Sequence, residues 1–282
     1  MPGKTIVITG ASSGIGLETA RALSGQGHRI VMVVRNQARG EAAIANIQGT
    51  VPGARLELVL ADLDAIGEVR RAGAELRAKL DRLDVLINNA GMIYNKRELT
   101  VDGLERTFAI NHLAPFLLTY ELRELLAASA PARVITVASN GHAYAKFDWD
   151  DIHRMDRWKG EIAVYGASKL CNIWFAREAA RRLAGKRVTS NSLHPGAVAT
   201  NWGQSGSWVF RIGTKLFRPF LIDARRGALT SIHLATSPEV EGVTGEYWAK
   251  CKLAKSSRRA RDDASAVKLW ELSERLCGVT WS

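Results

Sequence analysis

Apolar positions fall in short β-branched runs separated by longer stretches of helical spacing. KTIVITG (4–10), HRIVMVV (28–34), RLELVLAD (55–62), LDVLINNAG (83–91), ARVITVAS (132–139) and RVTSNSLHPG (187–196) read as strands, with GVTGEYWAK (242–250) as a seventh. Helices are expected from Ile15 to Ser24, from about Gln37, from Asp64 to Leu80 and from Val101 to Ser129, the last interrupted by Pro115. A further strong helix runs along VYGASKLCNIWFAREAARRLA and ends near Gly185. This alternation predicts an α/β fold, a doubly wound and mostly parallel sheet with helices on both faces. No repeat, linker or low-complexity tract divides the chain, so residues 1–282 are expected to form a single domain.

Two stretches rich in aromatic residues break the rhythm. One runs from Asn140 to Gly160 with Tyr144, Phe147, Trp149 and Trp158, and the other from Trp202 to Ile222 with Trp208, Phe210, Phe217 and Phe220. Both follow strands, where open α/β sheets bind ligands, and both are expected to act as lids over a substrate.

Composition adds little until charge is counted. The formal charge of +11 favours an anionic partner without choosing among a phosphorylated cofactor, an acidic membrane and nucleic acid. Cys171, Cys251 and Cys277 form no CxxC and no Cys/His cluster, so free thiols in a reducing compartment and no metal site are expected. The start lacks the pattern of a signal peptide and no apolar run is long enough to span a bilayer, which suggests a cytoplasmic protein.

TGASSGIG joins the first strand to the first helix, with Gly10, Gly14 and Gly16 in GxxxGxG spacing. Small residues there let the backbone approach a pyrophosphate at a helix N-terminus, and Ser12 and Ser13 can add hydroxyl donors. A tight turn would read the same way. At the end of the second strand, where an acid would hold a ribose hydroxyl, VVRNQARG carries Arg35 and Arg39 instead. Guanidinium groups at a helix start are disfavoured by the dipole unless an anion offsets them. The expected cofactor is therefore NADP(H) in preference to NAD(H). Asp62 ends the third strand, placed either to accept from an adenine amino group or, like Asp64, to cap the next helix. NNAG (88–91) suits close approach to a ribose, or simply a strand-end turn. Asn111 lies in an apolar helical run where its amide needs partners. Tyr165 and Lys169, four positions apart in YGASKLCN, share one helix face.

Taken together, TGASSGIG, NNAG, Asn111, Ser139, YGASK and HPG resemble the short-chain dehydrogenase/reductase family over about Lys4 to Tyr247. VVRNQARGE, NHLAPFLLT, VTSNSLHPGAVAT and the tail GEYWAKCK…ARDDAS…LWELSERL resemble its retinol-dehydrogenase-like branch. The resemblance implies a Rossmann fold and an oxidoreductase that interconverts a carbonyl and an alcohol. It implies that Tyr165 is the acid or base, that Lys169 binds the nicotinamide ribose, and that Lys169 and the oxidised nicotinamide ring together lower the Tyr165 pKa from its usual value of about 10. Ser139 would polarise the substrate oxygen, and Asn111 would hold a water in a proton relay. Cofactor contacts would come from Gly10, Ser12, Ser13, Gly14, Ile15, Gly16, Arg35, Asn36, Arg39, Asp62, Leu63, Asn89, Ala90 and Gly91. Tyr165, Lys169, Pro195, Gly196, Val198 and Thr200 would complete them. His194 is expected to be a packed strand-end residue, and His142 a loop residue rather than a pocket wall. The spacing between Ser139 and Tyr165 is wider than in many members, and the 140–160 insert supplies the difference. Homo-oligomers through the Tyr165 helix also follow from the resemblance.

The inserts suggest a hydrophobic aldehyde, ketone or alcohol as substrate. The alternative is a catalytically weak NADP(H)-binding regulator or scaffold, which the intact catalytic set disfavours. Residues 211–221 mix Arg211, Lys215 and Arg218 with Phe217 and Phe220, so they could touch an anionic membrane, although a lid is the preferred reading. The basic run from Lys250 to Arg261 comes with no nucleic-acid motif and reads as a solvated face.

Overall fold

The structure is a computed structural model that describes residues 3–145, 147–198 and 222–281. Thr200, the second insert up to Leu221 and the 211–221 segment lie outside the described residues.

Strand β1 (Thr5–Thr9) leads through the glycine loop into α1 (Gly14–Gly25). Then come β2 (Arg29–Val34), α2 (Gln37–Gln48), β3 (Arg55–Leu60), α3 (Ile66–Lys79) and β4 (Val85–Asn88). One turn, α4 (Arg106–Phe108), a π-helical turn (Ala109–Leu113) and α5 (Ala114–Ala128) follow. The second half holds β5 (Ala132–Val137), a 3₁₀ turn (Asn140–Tyr144), α6 (Glu161–Arg182), β6 (Val188–His194), α7 (Ala224–Thr236), β7 (Tyr247–Ala249), β8 (Lys252–Leu253) and α8 (Asp263–Cys277). The sheet order is β3-β2-β1-β4-β5-β6-β7-β8. Neighbours from β3 to β7 pair in parallel, and β8 returns antiparallel on β7.

Strand alternation explains the two cores. Val7, Val31, Val33, Leu86 and Val134 face one side and pack with α3, α5, α6 and α8. Ile6, Ile8, Ile30, Met32, Ile87 and Ile135 face the other with α1, α2 and α7. Ile6, Ile8 and Ile30 are wholly buried, which stabilises the fold by about 1.5–3 kcal/mol each. Buried on both faces, these strands are continuously apolar, as parallel strands must be.

The topology reverses between β1 and β4, which opens a crevice at the carboxyl ends of the strands. Where one helix was expected over 101–129, the chain starts its helix at Arg106 and widens into the π turn. Pro115 lies in the first turn of α5 rather than breaking it. Having no N–H, Pro115 cannot bond the carbonyl four residues back, that of Asn111, so the helix widens just before it. The start of α3 also differs from expectation. Its N-cap position is Ala65, and neither Asp62 nor Asp64 caps it. Asp102 accepts from Ile66 N–H at 2.8 Å, and Asp64 pairs with Arg106 at 2.8 Å. The three cysteines are free. Among the described residues no helix is long and apolar enough to cross a membrane, and no His/Cys/Asp/Glu cluster could hold a metal.

Candidate active site

The glycine loop is pressed against the end of β4. A Cβ on Gly10, whose φ is +67°, would stand 2.9 Å from Ala90 Cα, and one on Gly16 would stand 2.5 Å from Asn89 Nδ2. Only glycine fits this approach. Thr9 fastens the two loops together, its hydroxyl accepting from the Asn89 and Ala90 N–H groups at 3.0 Å each. Asn89 Nδ2 donates to the Thr9 carbonyl at 2.8 Å. Sequence reasoning passed over Thr9, although a β-branched hydroxyl at the strand end was a usable signal.

Ser13 occupies the N-cap of α1 without a side-chain capping bond, and the first turn of α1 carries no acid. Its positive end therefore remains available to an anion beside Ser12, Gly14 and Ile15. At the end of β2, Arg35, Asn36 and Arg39 are exposed. Asn36 caps α2, its Oδ1 accepting from Arg39 N–H at 2.9 Å. Arg35 lies near the Tyr94 phenol, and Arg39 forms no ion pair among the described residues. Asp62 and Leu63 stand after β3, and Pro195 and Gly196 after β6. Val198 and Ile15 both close on Gly227, where an added Cβ would stand 2.7 Å from Val198 and 3.2 Å from Ile15. Glycines that admit close approach, an uncapped helix start and arginines at the end of β2 fit a phosphorylated dinucleotide. The described residues expected to contact the cofactor, those of α6 apart, stand at or beyond the carboxyl ends of their strands.

The residues expected to take part in the reaction lie around the end of β5, on α6 and, for Asn111, in the π turn. Ser139 takes an extended backbone at the end of β5, and its Oγ accepts from Gly141 N–H at 3.1 Å. The Ser139 hydroxyl is hydrogen-bonded to the Tyr165 phenol, which favours the phenolate, but burial outweighs this and holds the phenol above its usual pKa. Lys169 is 3% exposed, and its Nζ donates to the Val137 carbonyl at 2.8 Å while lying 5.6 Å from the Tyr165 ring centre. Burial lowers Lys169 to about 7. The expected tuning of Tyr165 pairs Lys169 with a bound oxidised nicotinamide, and in the protein alone burial is the leading influence on both groups. A lysine at this pKa is only partly charged at neutrality, and desolvation decides both values.

Gly91 stands beside both Lys169 and Asn111, where an added Cβ would lie 3.1 Å from Lys169 Nζ and 3.4 Å from Asn111 Oδ1. The Asn111 side chain is fully engaged. Its Oδ1 accepts from Met92 N–H at 2.7 Å, and its Nδ2 donates to the Met92 carbonyl and to Ser168 Oγ at 2.9 Å each. Ser168, unnoticed within YGASK, donates in turn to the Tyr165 carbonyl at 2.8 Å. Gly166 is equally specific to its place, since a Cβ there would stand 2.8 Å from the Gly141 carbonyl oxygen. The absent side chain lets the Ser139 turn rest on α6.

His194 is a packed strand-end residue as expected, its Nδ1 accepting from Asn140 N–H at 3.3 Å, and burial lowers it to about 4. His142 is buried and bonded to backbone groups, unlike the loop residue expected. Of the first insert, Phe147 and Trp149 pack on Trp174 of α6, at 5.1 and 5.7 Å between ring centres, and Trp158 joins the same core. Tyr144 is 75% exposed and Ile162 57%. The cations of the basic run are exposed, as expected, and Arg259 also donates to the Ala145 carbonyl at 2.6 Å.

Residues 4–207 match the short chain dehydrogenase family model. The chain is 38% identical over 281 residues to retinol dehydrogenase 12 of Mus musculus, covering 100% of this chain and 88% of that protein. It is 41% identical over 296 residues to retinol dehydrogenase 14 of Homo sapiens, covering 99% and 88%. A solved structure of a protein of Mycobacterium paratuberculosis with no assigned function superposes with a TM-score of 0.81 at 31% identity, covering 99% of this chain and 95% of that one. The chain belongs to the short-chain dehydrogenase family, in its retinol-dehydrogenase-like branch, and is an oxidoreductase of alcohols and carbonyls that uses a nicotinamide cofactor.

Proposed function

We propose that the protein reduces hydrophobic aldehydes or ketones with NADPH, Tyr165 supplying the proton. The observation that carries this reading is the Ser139 hydroxyl bonded to the Tyr165 phenol, with the Lys169 amine one helical turn away. When bound, the reduced nicotinamide supplies a hydride to the carbonyl carbon. Tyr165 then gives its proton to the carbonyl oxygen as charge develops there, and Ser139 donates a second hydrogen bond to the same oxygen. The resulting phenolate is stabilised by protonated Lys169, so the lysine must be charged in the working complex. Its low pKa in the free protein suits an amine that can also pass a proton toward solvent. The Asn111 side chain is occupied, so a relay water would be held by its main-chain carbonyl, which Pro115 leaves without its α-helical donor.

Arg35 and Arg39 support NADP(H) over NAD(H) through the charge and fork geometry they offer a 2′-phosphate. Tyr144, in the turn that follows Ser139, and Ile162, in the first turn of the helix that carries Tyr165, are exposed, and they support a hydrophobic substrate. The test is titration of the purified protein with NADPH and with NADH by cofactor fluorescence, followed by a screen of apolar carbonyls. Tighter binding of NADPH and carbonyl-dependent oxidation of it are expected. Equal or tighter binding of NADH would remove the role given to the arginines.

A further inference from the structure

The turn that presents Ser139 is held by a segment lying beyond the residues that the family model matches. His142, 5% exposed, donates from Nδ1 to the Ser139 carbonyl at 2.6 Å. Its Nε2 lies 3.0 Å from Ser257 N–H, which can only donate, so Nε2 accepts and the proton is on Nδ1. The ring therefore bridges Ser139 and Ser257 as a neutral imidazole. The same C-terminal segment grips the far end of the turn through Arg259 and the Ala145 carbonyl at 2.6 Å. Tyr247, whose ring centre is 5.3 Å from that of His142, donates from its hydroxyl to Asn140 Oδ1 at 2.9 Å.

We propose that His142 is a positioning residue for Ser139, its Nδ1–H fixing the serine carbonyl so that the Ser139 hydroxyl stands against Tyr165. The geometry gives this a direct reporter. Gly141 N–H donates to Ser139 Oγ, so exchange of the Gly141 amide follows the placement of that hydroxyl. The idea rests on the catalytic reading of Ser139 for its kinetic consequence, but the coupling itself can be measured without turnover.

Three substitutions separate the two ends of the ring. The amide of His142→Asn can occupy the place of Nδ1–H and keep the bond to Ser139, while losing Ser257. His142→Gln reaches toward Ser257 but offers no donor at the Nδ1 position. His142→Ala removes both. With NADPH and a carbonyl substrate, the Ala and Gln variants should lose about ten- to a hundredfold in kcat, with NADPH affinity unchanged. Their Gly141 amides should exchange faster, and the Asn variant should recover most of both effects. The idea is overturned if the Ala and Gln variants stay within about twofold of the parent in kcat. It is overturned equally if all three variants lose kcat, NADPH affinity and melting temperature together. Should the parent turn over no carbonyl, the functional reading fails instead. Gly141 exchange in the three variants then decides alone, and equal exchange in all of them overturns the coupling.

Discussion

The Lys169 amine donates to the Val137 carbonyl at 2.8 Å, so in the protein alone the lysine is held by the end of β5 and forms no ion pair among the described residues. A hydrogen bond to one carbonyl does not replace lost hydration, and burial brings the amine down to about 7 from its ordinary value of 10.5. Between those values the unfolded chain binds the extra proton, so stability rises with pH. Urea unfolding of the cofactor-free protein should show this rise from about pH 7 upward, and Lys169→Met should remove it. The difference between the two curves isolates Lys169 from the buried thiols Cys171 and Cys277, whose raised pKa values act in the opposite direction at higher pH.

His112 gives the complementary effect in acid. It is 1% exposed, with its ring centre 5.2 Å from Phe108 and 6.3 Å from Phe175, and burial lowers it to about 3. Above its unfolded pKa the group costs nothing. As the pH falls from about 6.5 toward 3, the unfolded chain gains a proton that the fold refuses, and stability is lost. His112→Phe should shift the acid unfolding midpoint to lower pH, after correction for the lost bond to Ser273 Oγ at 2.8 Å. An unchanged midpoint would mean that the carboxylates alone govern acid unfolding.

Gly166→Ala tests the contact between α6 and the Ser139 turn. Its new Cβ would stand 2.8 Å from the Gly141 carbonyl oxygen and 3.4 Å from Ala145 N, both backbone atoms. Relief requires the turn to move away from Tyr165, at a cost of about 1–3 kcal/mol. Activity should fall more than cofactor affinity, because the backbone atoms that the new Cβ meets belong to the turn after Ser139 and not to the glycine loop. Kinetics with NADPH binding measured on the same preparation checks this.

Arg35→Ala should weaken NADPH by about ten- to a hundredfold and leave NADH nearly unchanged, since a charge-assisted hydrogen bond is lost from the 2′-phosphate alone. The ratio of the two dissociation constants is the readout, and it should shrink further as salt is added.

Much of the fold was written in strand periodicity. Ile6, Ile8, Val31 and Val33 are apolar on both faces, and that pattern belongs to a parallel sheet. Ser139, Tyr165 and Lys169 were legible because each falls at a strand end or on one helix face. What remained hidden depends on contacts distant in sequence. Asp102 rather than Asp62 or Asp64 serves the start of α3, and the bond from Ser257 to His142 spans 115 positions. The π turn before Pro115 replaced an expected interruption, since a proline two residues into a helix can be absorbed by widening the turn before it. Phe147 and Trp149 were read as lid residues from composition, which carries no direction, and their rings turn toward Trp174.

The most direct test of the central claim compares the parent protein with Tyr165→Phe, recording NADPH affinity and carbonyl-dependent NADPH oxidation on the same samples. Binding should stay within about twofold while turnover falls by about 10²- to 10⁴-fold, because the substitution removes the proton donor and little else. Turnover equal to that of the parent would contradict the account, placing the proton source elsewhere than the phenol beside Ser139.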